Sequence, residues 1–269
     1  MPAIPVDSLD DIRLRPYRNM KEKELARDGN RFIAEGENVV RRLLRSGVAT
    51  QSVLISERKR AAIAPLVRED LPLYCASDAL IEQIIGFDFH SGVLACGIRP
   101  QSPALVNILP AASEPSVVVA CQEITNAENM GGLIRIAAAF GASAVLVGER
   151  CCDPYFRQSV RVSMGTIFAL PLVRSKNLLA DLDWLATEGG FVRVASVLDH
   201  GAKPLWAFKG ASRVVTVFGS EAQGLDTLTI VRCDERLTIP MKLGTDSLNV
   251  VVAAGVFLFQ LTSSKPITD

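Results

Sequence analysis

The second half of this chain alternates short, β-rich apolar runs with segments of helical periodicity, and this alternation limits its possible folds more than any other feature. The predicted strands are Val117–Cys121, Ala144–Val147, Val192–Val197, Val214–Phe218 and Leu237–Ile239. The predicted helices are Gly131–Phe140, Pro154–Ser163, Leu178–Glu188, a short helix after Phe218, and a long helix from about Ser247. Such alternation predicts an α/β fold with a mostly parallel sheet covered by helices. Ligands then bind beyond the carboxyl ends of the strands, so the turns after Cys121, Phe218 and Ile239 are candidate site loops.

A proline-rich stretch at residues 99–115 separates this half from the first. Proline removes backbone donors and disfavours helix before it, so we predict a domain of residues 1–100, a linker of 101–115 and a second domain of 116–269. In the first domain, residues 32–44 predict a strand end followed by an amphipathic helix. Strands at Ser52–Ile55 and Val93–Ile98, with a helix near Ser77–Ile85, complete a small α/β domain.

The charge balance excludes a global positive field. The 269 residues carry 29 basic and 29 acidic side chains, so a nucleic-acid site must be a local patch. The densest candidate is the segment Arg13–Arg31, where seven basic residues accompany three acidic ones, a net charge of +4. A solvated helix face is the alternative interpretation of this segment.

The remaining composition predicts a soluble, cytoplasmic protein with reduced thiols. The six cysteines show no paired metal-ligand spacing, and the adjacent Cys151 and Cys152 fit loop packing better than redox chemistry. The N-terminal residues lack the apolar region of a signal peptide, and the apolar run Val250–Phe259 is too short to span a bilayer.

The first unusual loop runs from Asn126 to Arg135 after the strand that ends at Cys121. Asn129 is a suitable N-cap for the following helix, and its glycines permit close backbone approach. Arg135 lies among apolar neighbours, and its planar guanidinium suits a carboxylate or a phosphate. A structural salt bridge is the alternative.

The second loop, Gly219–Leu225, joins a strand to a short helix. No lysine follows Gly224, and no Gly-x-Gly-x-x-Gly pattern follows a strand, which disfavours nucleoside triphosphate and dinucleotide sites. A plain strand-to-helix turn with Glu221 near the helix start remains possible.

The third loop leads from Ile239 to Asn249 and into a helix that is apolar on nearly every side. Such a helix must be buried against a sheet or a second subunit. Asp246 or Ser247 can cap it, whereas the amide of Asn249 at its entrance requires a hydrogen-bond partner.

Together these loops resemble the three motifs of the SpoU family of RNA 2′-O-ribose methyltransferases. The matching residues are Asn129-x-Gly-x-x-x-Arg135, Gly219-Ser-Glu-x-x-Gly-Leu225 and Ile239-Pro-Met with Ser247-Leu-Asn-Val250. In the first domain, residues 32–37 and 90–95 resemble the family's ribosomal-protein-like RNA-binding module. Ala127-Glu128 departs from the family pattern, which often has Asp-Pro before the motif asparagine.

The resemblance implies a SPOUT-type fold with a C-terminal trefoil knot, S-adenosylmethionine as cofactor, and a homodimer through the C-terminal domain. It implies that the catalytic neighbourhood consists of Asn129, Arg135, Glu221, Ser247 and Asn249. It also implies that the cofactor is held by Gly219, Ile239, Met241 and Leu248. For RNA binding we expect Arg18, Lys21, Arg31, Glu35 and Arg135.

We expect no metal, because His90 and His200 are the only histidines and no carboxylate cluster accompanies them. We expect no membrane partner, because the apolar run Val250–Phe259 is too short to span a bilayer. A guanidinium is effectively never deprotonated, so Arg135 is expected to grip an RNA phosphate and stabilise the developing alkoxide. That phosphate or a water takes the proton. The alternatives are a catalytically silent RNA-binding protein of the same fold and a small-molecule α/β enzyme. The sequence leaves open whether ribosomal or transfer RNA is the substrate.

Overall fold

The computed structural model describes residues 3–18, 30–86, 89–199 and 201–262. The strands are β1 (Ile4–Pro5), β2 (Arg31–Glu35), β3 (Thr50–Ser56), β4 (Leu73–Ala76), β5 (Val93–Ile98), β6 (Ser116–Cys121), β7 (Ala144–Val147), β8 (Leu172–Arg174), β9 (Val192–Ser196), β10 (Lys203–Pro204), β11 (Arg213–Phe218) and β12 (Glu235–Thr238). The α-helices are α1 (Glu37–Arg45), α2 (Arg60–Ile63), α3 (Asp78–Ile85), α4 (Ala127–Ala139), α5 (Arg157–Val162), α6 (Leu178–Thr187), α7 (Thr227–Arg232) and α8 (Val250–Thr262). They form two compact units, Met1–Gln101 with Pro154–Ala169, and Ser102–Asp153 with Leu170–Asp269.

The first unit is built on a five-stranded sheet in the order β1-β4-β3-β5-β2. Strand β5 runs antiparallel to β2 and β3, while β1, β4 and β3 are parallel. Helix α3 begins as the sequence predicts, because the Ser77 hydroxyl accepts a hydrogen bond from the Leu80 amide at 3.2 Å. Its residues Ile81, Ile84 and Ile85 pack into one apolar cluster of this unit.

The segment Pro154–Ala169 completes the core of this first unit, although its helix was expected within the later β/α series. The ring of Phe32 on β2 lies 5.2 Å from the ring of Tyr155 and 5.6 Å from that of Phe168. Gly97 on β5 provides space for Phe32, since a Cβ there would lie 2.3 Å from the ring. Three segments distant in sequence therefore enclose one buried aromatic side chain.

We predict that Phe32→Ala lowers the free energy of unfolding by about 3–5 kcal/mol, because it leaves a cavity between β2 and the Tyr155–Phe168 segment. Urea denaturation measures this change. The matched control is Ile12→Ala, at an exposed position, which should change stability by less than about 0.5 kcal/mol. Equal effects of the two substitutions would contradict the packing described for Phe32.

The second unit is built on a seven-stranded sheet in the order β10-β12-β9-β11-β6-β7-β8. All six pairings between these strands are parallel. Strands β6 and β11 are central and fully buried, which fits their continuous apolar sequences. The prediction of an α/β fold with a mostly parallel sheet is confirmed; the short strands β1, β4, β8 and β10 were not predicted.

Helices α4 and α8 pack closely in this unit. A Cβ on Gly132 would lie 2.6 Å from the Val251 side chain, so only glycine fits at that crossing. One turn later in α8, a Cβ on Gly255 would meet Ile136 at 4.0 Å, an ordinary contact. The rings of Phe140 and Phe259 lie 6.4 Å apart in an edge-to-face arrangement. The crossing therefore fixes where α8 begins relative to α4.

Two predicted helix caps are wrong. Helix α4 begins at Ala127 because Asn126, not Asn129, accepts hydrogen bonds from the Glu128 and Asn129 amides at 2.7 and 3.3 Å. Helix α8 begins at Val250, after Asp246 and Ser247. There the Asn249 side chain accepts a hydrogen bond from the Val251 amide at 2.8 Å. Both asparagines thus satisfy amides that the helix itself cannot.

The predicted linker packs against the second unit over part of its length. Leu105 is buried in the apolar cluster of that unit. The buried Arg213 guanidinium donates to the carbonyl oxygens of Ala111 and Glu114 at 2.7 and 2.9 Å, and also to that of Gly189 at 2.8 Å. Its cation lies 4.5 Å from the Phe191 ring centroid. These contacts fix the chain just before β6.

Candidate active site

A cleft of about 890 Å³ lies in the second unit, at the carboxyl ends of β9, β11 and β12 and beside the start of α4. The turns after β6, β11 and β12, selected from the sequence, all contribute to its lining. The turn after β9 also contributes. In a parallel sheet all these turns meet at one edge, which is why distant motifs share a single cleft.

The loop after β11 is closed by its own backbone. The Ser220 amide donates to the Gly224 carbonyl at 3.1 Å, and the Gly224 amide donates to the Ser220 carbonyl at 2.8 Å. A Cβ on Gly219 would lie 2.2 Å from the Gly224 carbonyl carbon, so any larger residue must open the loop. Gly224 has a φ of +69°, which favours glycine. The closed loop directs Glu221 into the cleft.

A chain of hydrogen bonds joins the three loops. The Asn129 amide nitrogen donates to Glu221 Oε1 at 2.5 Å, and the Asn249 amide nitrogen donates to Asn129 Oδ1 at 3.0 Å. Asn249 Oδ1 accepts from the first turn of α8, as described above. The side-chain amide of each asparagine therefore donates through its nitrogen and accepts through its oxygen, which fixes its orientation.

A second network holds the base of the same loop. Gln122, buried directly after β6, donates to Asp226 Oδ2 and to Thr229 Oγ1, both at 2.7 Å. Its Oε1 accepts from the Asp226 amide at 3.0 Å. Burial raises the pKa of Asp226, but hydrogen bonds from Thr229 and the charge of Arg150 more than offset this, so the pKa lies below its ordinary value. The carboxylate thus stays ionised while it caps α7.

The structure brings most of the expected site residues together. The cleft is lined by Asn129, Gly219, Glu221, Ser247, Leu248 and Asn249. Ile239 and Met241 are partly buried beside the end of β12 and do not line it. Arg135 is exposed on α4, six residues beyond Asn129, and does not line the cleft either.

The expected RNA-binding residues lie mainly in the first unit. Arg18 donates to the Asp11 carbonyl at 2.8 Å, and Arg31 starts β2. Lys21 lies outside the described residues, as does His200. Glu35 is buried and paired with Arg157 and Arg161. Its carboxylate therefore faces arginine side chains of its own chain.

Sequence reasoning missed several residues of the cleft. Leu198 and Asp199 follow β9, and Asp199 lies 3.7 Å from Arg236 across the lining. Asn126, which also lines the cleft, was missed, as was Gln122, which holds the base of the loop after β11. The position of Leu198 and Asp199 after a predicted strand was an available signal, but nothing in one sequence distinguishes that strand end from the others.

Neither a metal site nor a membrane span emerges from the parts of the chain that are described. No group of three or more His, Cys, Asp or Glu residues there could hold a metal ion. No helix among the same residues is both long and apolar enough to cross a membrane.

All six cysteines are free thiols, and Cys75, Cys96 and Cys121 are buried. Burial raises the pKa of the Cys121 thiol well above its ordinary value.

Residues 116–259, which carry all three motifs, match the model of the SpoU rRNA methylase family. The chain belongs to this family. An uncharacterized tRNA/rRNA methyltransferase of Mycobacterium bovis is 33% identical over 264 residues, covering 95% of this chain and 90% of the relative.

Two solved structures show the same fold over nearly the whole chain. An AdoMet-bound rRNA methyltransferase from Sinorhizobium meliloti has a TM-score of 0.84 and 24% identity, with 99% of each chain covered. A protein described as an RNA 2′-O ribose methyltransferase has a TM-score of 0.80 and 25% identity, with 96% of this chain and 98% of that chain covered.

We predict that Asn249→Ala lowers the free energy of unfolding by about 1 kcal/mol, because the Val251 amide loses its capping acceptor. Ser247→Ala, at the position that the sequence suggested as a cap, should cost less than about 0.5 kcal/mol. Urea denaturation of both variants measures the difference. A larger loss for Ser247→Ala than for Asn249→Ala would contradict the capping described above.

Proposed function

We propose that this member of the SpoU family transfers a methyl group from S-adenosylmethionine to the 2′-hydroxyl of a ribose in ribosomal or transfer RNA. Family membership supports RNA methyl transfer as the class of activity. The observation that carries the proposal is the convergence of the three motif loops on one cleft, joined by the hydrogen bonds from Glu221 through Asn129 to Asn249.

The residues of the cleft fit S-adenosylmethionine. Apolar side chains of Leu198, Leu225, Leu248 and Val250 offer a surface for an adenine ring, and the closed loop after β11 presents backbone donors and acceptors. Asp199, Glu221 and Asp246 contribute three carboxylates against the single guanidinium of Arg236, which favours a cationic ligand.

The cofactor contacts of Gly219 and Leu248 follow from their positions in the cleft, whereas those of Ile239 and Met241 rest on the family motif, because both lie beside the end of β12 and outside the lining. We assign backbone contacts with the cofactor to Gly219, Leu248 and Ile239, and an apolar wall to Met241 beside the end of β12. The bound cofactor supplies an electrophilic methyl group on a sulfonium centre. The chain's task is then to hold the ribose hydroxyl in line with it and to exclude competing orientations.

Catalysis in this proposal rests on orientation and electrostatics. Arg135 grips the phosphate beside the target ribose and stabilises the developing alkoxide, and that phosphate or a water accepts the proton. Its exposed position on α4 leaves the guanidinium accessible to RNA. Asn129, Glu221, Ser247 and Asn249 fix the geometry around the hydroxyl.

The chemistry of the product tests the proposal. The protein is incubated with methyl-labelled S-adenosylmethionine and RNA from cells that lack its gene, and the RNA is then hydrolysed in alkali. Ribose methylation blocks cleavage at the adjacent phosphate, so the label should appear in alkali-resistant dinucleotides. Label in single nucleotides would mean base methylation, and absence of label would favour a catalytically silent RNA-binding protein.

For Arg135→Lys we predict a loss of about a hundred-fold in turnover with unchanged cofactor affinity, because an ammonium cannot make the bidentate contact. Single-turnover methylation and calorimetric titration of S-adenosylmethionine measure the two quantities separately. Near-wild-type turnover in this variant would overturn the role given to Arg135.

We further propose that the chain forms a homodimer through α8 and carries the family's trefoil knot in its C-terminal segment. Val252, Val256 and Phe259 form an exposed apolar stripe on α8, with Phe259 63% exposed in the single chain. The stripe supports a second copy as its partner. The resemblance to the family supports the knot, and the loops after β11 and β12 line the same cleft.

Val256→Asp should convert the dimer to a monomer, because it places an unpaired charge in an apolar interface. Sedimentation velocity measures the change. The control is Val231→Asp on α7, an exposed valine outside the stripe, which should leave the mass unchanged. A monomeric wild-type protein would contradict the proposed dimer.

A further inference from the structure

The arginines around Glu35 leave one face of the first unit with excess positive charge. Glu35 is 6% exposed, and its carboxylate pairs with Arg157 and, at 3.4 Å, with Arg161. One buried carboxylate cannot neutralise two guanidinium groups. The Arg161 side chain is 57% exposed, so its remaining donors face solvent.

Helix α1 adds two more arginines beside this pair. Arg42 donates to the Met164 carbonyl at 2.8 Å, and the Met164 amide donates to the Arg161 carbonyl at 3.0 Å, so both arginines border one turn. Gly165 fits against the Arg42 side chain, where a Cβ would lie 3.1 Å away. Arg45, three residues later on α1, is exposed on the adjoining surface.

Glu37, the carboxylate nearest to Glu35 in sequence, does not compensate the charge of these arginines. Glu37 accepts hydrogen bonds from Arg41 at 2.9 Å and from Lys59 at 2.8 Å. Those bonds lower its pKa, with Lys59 the main cause. Glu37 is therefore committed to other cations. The four arginines Arg42, Arg45, Arg157 and Arg161 together with Glu35 sum to a formal charge of +3.

We propose that this face, hereafter the arginine face, binds the phosphate backbone of the RNA substrate, and that Glu35 positions two of its arginines rather than contacting RNA. The inference rests on the proposed function for its substrate. Planar guanidinium groups held by a carboxylate or a backbone carbonyl keep outward donors that suit phosphate oxygens. Segment 154–169, which separates β7 from β8 in sequence, thereby supplies half of this face.

The test compares two double variants of the full-length protein with equal charge loss. Arg42→Gln/Arg45→Gln removes two arginines from the arginine face. Arg60→Gln/Arg68→Gln removes two exposed arginines of the same unit that pair with Glu57 and Asp70. Binding of total cellular RNA is measured by filter retention over a range of salt concentrations, and thermal melting confirms that both variants are folded.

We expect the first variant to lose at least ten-fold in RNA affinity at low salt. Its salt dependence should also weaken, with the slope of log K against log salt reduced by about 1.4, the value for two lost contacts with single-stranded phosphates. The RNA affinity of the control variant should stay within two-fold of that of the wild-type protein. Arg161→Gln, tested singly, should reduce the slope by about 0.7.

Equal losses in the two double variants would overturn the inference, because they would show a response to total charge alone. Unchanged binding in the first variant would overturn it as well. RNA binding is read without methyl transfer, so failure of the proposed chemistry would appear as intact, arginine-dependent binding without labelled product.

Discussion

The site depends on the hydrogen bonds that connect Glu221, Asn129 and Asn249. Each of these residues belongs to a different motif segment: Asn129 lies in the first turn of α4, Glu221 in the loop after β11 and Asn249 directly before α8. Asn129 and Glu221 are 92 residues apart in sequence. The last hydrogen bond of this series joins Asn249 to the Val251 amide in the first turn of α8. The start of α8 is in turn fixed by the contact between Val251 and Gly132. Packing of two helices thus sets the position of an amide that orients the other polar groups.

The parallel sheet makes this arrangement possible. Strands β6 and β11 are neighbours in register along six residues, so the turns after Cys121 and Phe218 leave the sheet side by side. Gln122 holds these turns together at their base through Asp226, while Asn129 and Glu221 join them nearer the cleft. The loop that carries Glu221 is therefore held at both ends and closed by its own backbone.

The central strands of the sheet and most of the candidate site could be predicted from the sequence. Apolar runs identified the central strands, and the motif spacing identified Gly219, Glu221, Ser247, Leu248 and Asn249, all of which line the cleft. Predictions from local sequence failed where the three-dimensional structure selects between similar residues. Asn126 and Asn129 are equally plausible caps in sequence; in the structure Asn126 caps α4, while the Asn129 side chain bonds to Glu221 and Asn249 instead.

The first unit shows a different limit of sequence reasoning. Glu35 and Arg157 lie 122 residues apart, and no periodicity could indicate that a segment after β7 completes the core around Phe32. The resemblance suggested Glu35 as an RNA contact, whereas its carboxylate is buried against Arg157. A buried acidic residue near the end of a strand is a signal for a cationic partner, but it does not identify that partner.

Calorimetric titration of S-adenosylmethionine tests whether the closed loop after β11 forms one wall of the cofactor site. We expect saturable binding to the wild-type protein and to Gly255→Ala, where an added methyl group meets only an ordinary contact. We expect no binding to Gly219→Ala, where the methyl group would collide with the Gly224 carbonyl carbon. Equal binding by both variants, or none by the wild-type protein, would contradict this role of the loop.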